Sequence, residues 1–156
     1  VVLLALWLGG MVALGGLAAP ATFAVLQQEH PDTGRTLAGQ VFGETLKRFH
    51  VASYVVAALL LASLLGMAAL GSKPAGFETR FAIIVAMLLV SLYSGKSVSP
   101  TIERMQKEIG GPVAALPTDD PRRSQFGRLH ALSTALMLVN VAGALVLIYW
   151  EARRGA

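Results

Sequence analysis

The chain has no cysteine. Disulfides, thiolate metal sites and cysteine nucleophiles are therefore excluded. Charge is scarce as well. Asp, Glu, Lys and Arg make up 14% of the 156 residues, against about 25% in soluble domains. Enzyme signatures are missing: the sequence holds no HExxH, no GxSxG, no Walker loop and no GxGxxG behind a strand. The expectation is a protein that is not an enzyme. No Asp or Glu sits deep in an apolar run, which argues against a proton-coupled carrier. The net charge is +4, but the bases fall between apolar runs, as is ordinary for membrane proteins. No nucleic-acid partner is expected.

What fills the chain instead is hydrophobic: 54% of it. Four runs stand out, Val1–Leu26, Val51–Gly71, Phe81–Ser94 and Leu129–Trp150. A helix rises about 1.5 Å per residue, so roughly 20 apolar residues cross the hydrocarbon layer. Three runs reach that length. The third does so by borrowing Phe77 on one side and Ser97–Val98 on the other. The expectation is one all-α domain over 1–156, an integral membrane four-helix bundle with spans at about 1–26, 51–71, 77–98 and 129–150. Its solvent is the lipid bilayer. The first run is longer than the core of a signal peptide and lacks a charged front, so it is read as a retained helix. Val1 is not a methionine, and residues ahead of it are expected.

Basic residues sort by side. Arg35, Lys47 and Arg48 in loop one and Lys96, Arg104, Lys107, Arg122, Arg123 and Arg128 in and around loop three share one face. The face of the two termini has Lys73, Arg80, Arg153 and Arg154. Basic loops stay cytoplasmic, which predicts a bacterial inner-membrane protein with 27–50 and 99–128 in the cytoplasm. Trp7, Phe77, Phe81, Tyr149 and Trp150 are expected at the headgroup boundary of the termini face, Phe49 and Tyr93 at the other.

The helices are expected to outrun the membrane as amphipathic interfacial extensions. Leu37, Val41, Phe42, Leu46 and Phe49 form a stripe leading into span two. Ile102, Met105 and Ile109 form another after Pro100, which is expected to kink or restart the helix, and Gly110-Gly111-Pro112 ends it. Asp120-Pro121 reads as an N-cap followed by a first-turn proline. No internal repeat is apparent beyond two clusters, Arg48-Phe49-His50 and Arg128-Leu129-His130, at the starts of spans two and four.

Few residues could carry chemistry. Ala5, Gly9, Ala13 and Gly16 share one stripe of span one. They suit close packing within the bundle or a docking face for another membrane protein. Gly10 and Gly15 lie off that stripe. His50 and His130 open parallel spans at similar depth, on diagonal helices roughly 13 Å apart if adjacent axes lie 8–10 Å apart. That pair could hold a haem iron, or a copper ion with help from Met137. The plainer reading is two interfacial histidines. Ser133, Met137, Asn140 and Ala144 continue a stripe from His130. Asn140, near mid-span, is either interhelical glue or the lining of a solute path with Ser133 and Tyr93. Ser53, Ser63, Ser91 and Ser94 can bond their own helix backbone.

Leu6-Trp7-Leu8-Gly9-Gly10-Met11, Ala19-Pro20-Ala21-Thr22-Phe23, Ala38-Gly39-Gln40-Val41-Phe42 and His130-Ala131-Leu132-Ser133 with the later Asn140 resemble a bacterial four-span membrane family of unknown function. That family is related to the eukaryotic transmembrane protein 205-like proteins. The likeness covers most of the chain and implies a four-helix membrane protein with no established activity. A more distant likeness to copper resistance protein D membrane domains implies copper or haem, although this chain lacks their dense His and Met sets. The reading favoured by the sequence is an accessory or scaffold subunit packed against other membrane protein subunits. A haem b or copper protein using His50 and His130 and a small-solute transporter are the alternatives.

Overall fold

The computed structural model describes residues 1–71 and 73–155, and of Arg154 and Gly155 only the backbone. Arg154, counted among the bases of the termini face, thus lies outside the described side chains. Four helices are each long and apolar enough to cross a membrane: α1, Val2–Glu29; α2, Gly34–Ala69; α3, Phe77–Ile109; and α4, which begins at Pro121 and runs to Gly155. No strand occurs among the described residues. The helices alternate in direction and close a ring. α1 packs on α2 and α4, and α3 packs on the same two, so α2 and α4 are diagonal, as expected. Leu6, Leu17, Val55, Leu59, Leu89, Leu138 and Leu145 point outward and are half or more exposed. A soluble fold would not display so many large apolar side chains on every helix. In lipid they face their solvent, and the chain is an integral membrane protein.

Short links force the antiparallel order. α1 and α2 are joined by His30–Thr33, and the Gly34 N–H donates to the His30 carbonyl at 2.6 Å. A side chain at position 34 would collide with the α1 backbone at Leu26, so only glycine permits this turn. α3 ends at Gly110, whose φ of 69° is the left-handed terminator that glycine adopts freely. At the head of α4, the Arg122 N–H donates to Asp120 Oδ1 at 2.9 Å and the Arg122 guanidinium closes on the same carboxylate. The expected cap is in place.

Neither proline breaks its helix. Each follows one π turn: Leu14–Ala18 before Pro20 and Ser94–Val98 before Pro100. A proline lacks its N–H and presses on the carbonyl four residues earlier. Those carbonyls belong to Gly16 and Lys96, both inside the widened turns. The wider turn relieves the clash and keeps the helix continuous.

The two π turns reveal a repeat that the sequence reading missed. They lie 80 positions apart, residue 14 against residue 94, and the segments after them, Ala19–Glu29 and Ser99–Ile109, keep the same offset. Even the bifurcated bonds match. Leu14 N–H donates to Gly10 and Met11, and Ser94 N–H to Val90 and Ser91. At this offset Gly15 pairs with Gly95 and Pro20 with Pro100. The turn-bearing helices α1 and α3 are thus two copies of one unit, whereas α2 and α4 begin 87 positions apart, at Gly34 and Pro121, and do not keep the offset.

The half of the bundle nearest the termini is a dry core of Leu4, Trp7, Met11, Leu64, Ile84, Met87, Ala144 and Leu147. Trp7, expected in the headgroups, is instead 2% exposed within this core. Arg80 and Glu151 pair between α3 and α4 at its edge. The α3 stripe of Ile102, Met105 and Ile109 turns inward as expected. In the α2 stripe, Leu37 and Val41 face outward while Phe42, Leu46 and Phe49 face in.

Asp120 gives a pH test. Hydrogen bonds from the Arg122 side chain and backbone hold its carboxyl below the usual 3.8. Its contribution to α4 is therefore complete above 3.8 and disappears as pH falls through the depressed value. Amide exchange in Arg122–Gln125, corrected for intrinsic rates, should quicken on acidification below that point. Asp120→Asn should flatten the response.

Candidate functional site

Buried polar side chains among the described residues are His50, Ser53, Ser91, Ser94 and Asn140. None comes from α1. They occupy the half of the bundle nearer loops one and three, where α2, α3 and α4 meet. In hydrocarbon each such group needs a partner, and the partners show how the site is built. On α2, His50 and Tyr54 are one turn apart with their rings parallel, 5° between planes and 6.4 Å between centroids. Both lean on α3 at Gly95, where a Cβ would press on the Tyr54 hydroxyl and the His50 ring. His50 Nε2 lies 3.4 Å from Ser99 Oγ. The Tyr54 hydroxyl donates to the Ser91 carbonyl at 3.4 Å. From the other side, Asn140 Nδ2 on α4 donates to Ser91 Oγ at 2.9 Å. Ser91 is therefore the junction of three helices. Asn140 Oδ1 is buried without a partner among the described residues.

The π turn of α3 makes this junction possible. It rotates the helix so that Ser91, Ser94 and Val98 all point inward and leaves Gly95 as the bare surface that receives the α2 rings. Gly15 is its counterpart in the first hairpin, and there a Cβ would meet only the tip of Met137, Cε at 3.0 Å.

Several predicted residues take other places. The structure does not bring His50 and His130 together. His130 is exposed and stacks on Phe126, one turn before it, with 6.4 Å between centroids. It lies at the edge of the α4 stripe, whose inward line runs through Ser133, Met137, Asn140 and Ala144. Only one ring of the pair is turned inward, so a haem or copper bridge between them is not built. Met137 fills the space over Gly15. Among the described residues no group of three or more His, Asp or Glu is placed to hold a metal ion. Tyr93 is 51% exposed and lines no interior; it sits on the lipid side at the end of its span. Ser133 is half-buried.

The span-one stripe is also corrected as bundle packing. Ala5, Gly9, Ala13 and Gly16 are all exposed, and a Cβ added at Gly9 or Gly16 would meet nothing within 4 Å. The packing glycines are the two off the stripe. Gly10 receives Phe49, 2.6 Å from an added Cβ, and Gly15 receives Met137.

A family comparison can now be set beside this geometry. The model of a domain of unknown function, DUF4149, matches residues 2–111. The chain belongs to the DUF4149 family. The match covers the first hairpin and all of α3, including Tyr54, His50, Ser91 and the Gly95 turn, and stops before α4. No curated protein and no solved structure matches the chain. Within this DUF4149 protein, sequence reasoning missed Tyr54, Gly95 and Ser99 and set Ser91 aside as minor. The findable signal was the shared spacing of Gly15 with Pro20 and Gly95 with Pro100.

The repeat supplies a matched pair of substitutions. Gly95→Ala must displace His50 and Tyr54 and should lower stability by about 1–3 kcal/mol, the usual cost of overpacking. Gly15→Ala meets one flexible methyl and should cost well under 1 kcal/mol by the same reasoning. Thermal unfolding of the two variants in one detergent checks the difference.

Proposed function

We propose that this protein is a non-catalytic accessory subunit of a larger assembly in the bacterial inner membrane, and that a transmembrane helix of another subunit docks on the outer face of α1. The observation that carries this reading is the exposed stripe Ala5, Gly9, Ala13 and Gly16. The second hairpin is its internal control. Eighty positions on, the corresponding positions of α3 are Val85, Leu89, Tyr93 and Lys96, none of them small, and of these Leu89 and Tyr93 are more than half exposed, as large lipid-facing side chains are. Facing lipid does not call for small residues, and glycine inside a helix costs up to about 1 kcal/mol relative to alanine. Small residues do allow a second helix backbone to approach within van der Waals range, which is the main source of helix association in lipid.

The interior supports the same reading. Its polar groups bond one another across three helices, an arrangement that rigidifies a bundle. The excess of bases around loops one and three favours placing 27–50 and 99–128 in the cytoplasm. The opening Leu6–Met11 motif supports kinship with transmembrane protein 205-like proteins.

The test is co-purification in a mild detergent followed by mass spectrometry. A membrane protein retained by the native chain should be lost with Gly9→Leu/Gly16→Leu, while unfolding temperature stays within a degree or two because nothing in the chain touches those positions. Leu89→Ala, on the equivalent line of α3, should keep the partner. Retention by the double variant, or no membrane protein held by the native chain, contradicts the reading.

A further inference from the structure

The buried polar band has its own internal control, and that control separates ligand binding from packing. At the 80-residue offset that relates α1 and α3, Ser91 corresponds to Met11, Ser94 to Leu14 and Ser99 to Ala19. Met11 is buried in the dry core, and Leu14 is half-buried. α1 therefore builds from apolar side chains the places that α3 builds from serines. Polar groups inside hydrocarbon are costly unless fully matched, and the packing does not require them here. The match is also incomplete. One end of the Asn140 amide is held by Ser91, and the other, on a residue only 6% exposed, has no partner among the described residues.

We propose that α2, α3 and α4 enclose a binding site for a water-sized hydrogen-bonding solute at the free end of Asn140, water itself being the simplest occupant. This goes beyond the scaffold reading and does not depend on it. The two ends of an amide interchange by a half-turn, and a water-sized solute satisfies the free end in either setting. The remaining groups fit a neutral guest: hydroxyls at Ser91, Ser94 and Tyr54, one imidazole at His50, and no carboxylate or lysine buried among the described residues. The buried polar groups lie on the side of the core toward which α2 and α4 begin. Beyond Asn140 the interior is Trp7, Leu64, Ile84 and Leu147. The band is blind on that side, so the site binds a solute and does not conduct it.

The absence of native cysteine makes the test clean. Single variants Ser91→Cys and Ser94→Cys, and their repeat counterparts Met11→Cys and Leu14→Cys, are made in the full chain, reconstituted in liposomes and treated with a small water-soluble methanethiosulfonate. The cysteine thiolate attacks the reagent's sulfenyl sulfur, forming a mixed disulfide and releasing methanesulfinate, and the thiolate forms only where water or a polar guest reaches the sulfur. Ser91→Cys and Ser94→Cys should react at least about tenfold faster than their counterparts. Adding Asn140→Leu should remove most of that advantage by drying the band. Equal rates within each pair, or rates unchanged by Asn140→Leu, overturn the proposal. If a variant with Asn140→Leu fails to give a helical, monodisperse preparation, the Ser94→Cys and Leu14→Cys pair decides alone.

Discussion

Every backbone N–H and C=O inside a bilayer must find its partner within the protein, because the hydrocarbon supplies none. The other features of this chain follow from that constraint. Pro20 and Pro100 would end a helix in water. Here each is absorbed by a single π turn, and α1 and α3 continue to Glu29 and Ile109. The turn also changes which side chains face inward. In α3 it presents Ser91, Ser94 and the bare Gly95 surface to α2 and α4. In α1 it presents Leu14 and Gly15 to their neighbours. A local answer to a proline clash thus sets the registry of both hairpins and the position of the polar band.

Packing then proceeds by pairing large side chains with small ones. Phe49 lies on Gly10, Met137 on Gly15, the His50 and Tyr54 rings on Gly95, and Met87 on Gly143. Lipid gives no hydrophobic drive for helices to associate, so such fitted contacts carry the bundle. The two hairpins use this scheme with different chemistry. The α4–α1 seam is closed by a thioether, a forgiving filler. The α2–α3 seam is closed by two rings and hydrogen bonds to Ser99 and Ser91. One half of the molecule is a greasy plug, and the other holds polar groups at a depth where they are expensive.

Much of this was legible in the sequence. Span number, alternation, the Gly110 stop, the Asp120 cap and the inward placement of Asn140 all follow from hydropathy and helix punctuation. The inward and outward faces of α1 did not. Hydrophobic periodicity separates core from solvent only when solvent is water; in lipid both faces are apolar, so Ala5, Gly9, Ala13 and Gly16 looked like core when the buried line is Leu4, Trp7 and Met11. Tyr93 misled for a similar reason, since a tyrosine at a span end is equally at home outward. His130 shared a three- and four-step pattern with Asn140, yet sat at the margin of that stripe, where a modest rotation decides exposure. The repeat stayed hidden because few identities survive, and its clearest mark, the pair of π turns, is a backbone feature.

The account stands on four lipid-embedded helices with α2 and α4 starting from one membrane face. Because no native thiol competes, single cysteines placed by Lys47→Cys, Arg123→Cys and Lys73→Cys can be labelled with an impermeant maleimide from each side of sealed vesicles. The account predicts that positions 47 and 123 label from the same side and position 73 only from the opposite one. Labelling of 47 and 123 from opposite sides would contradict it.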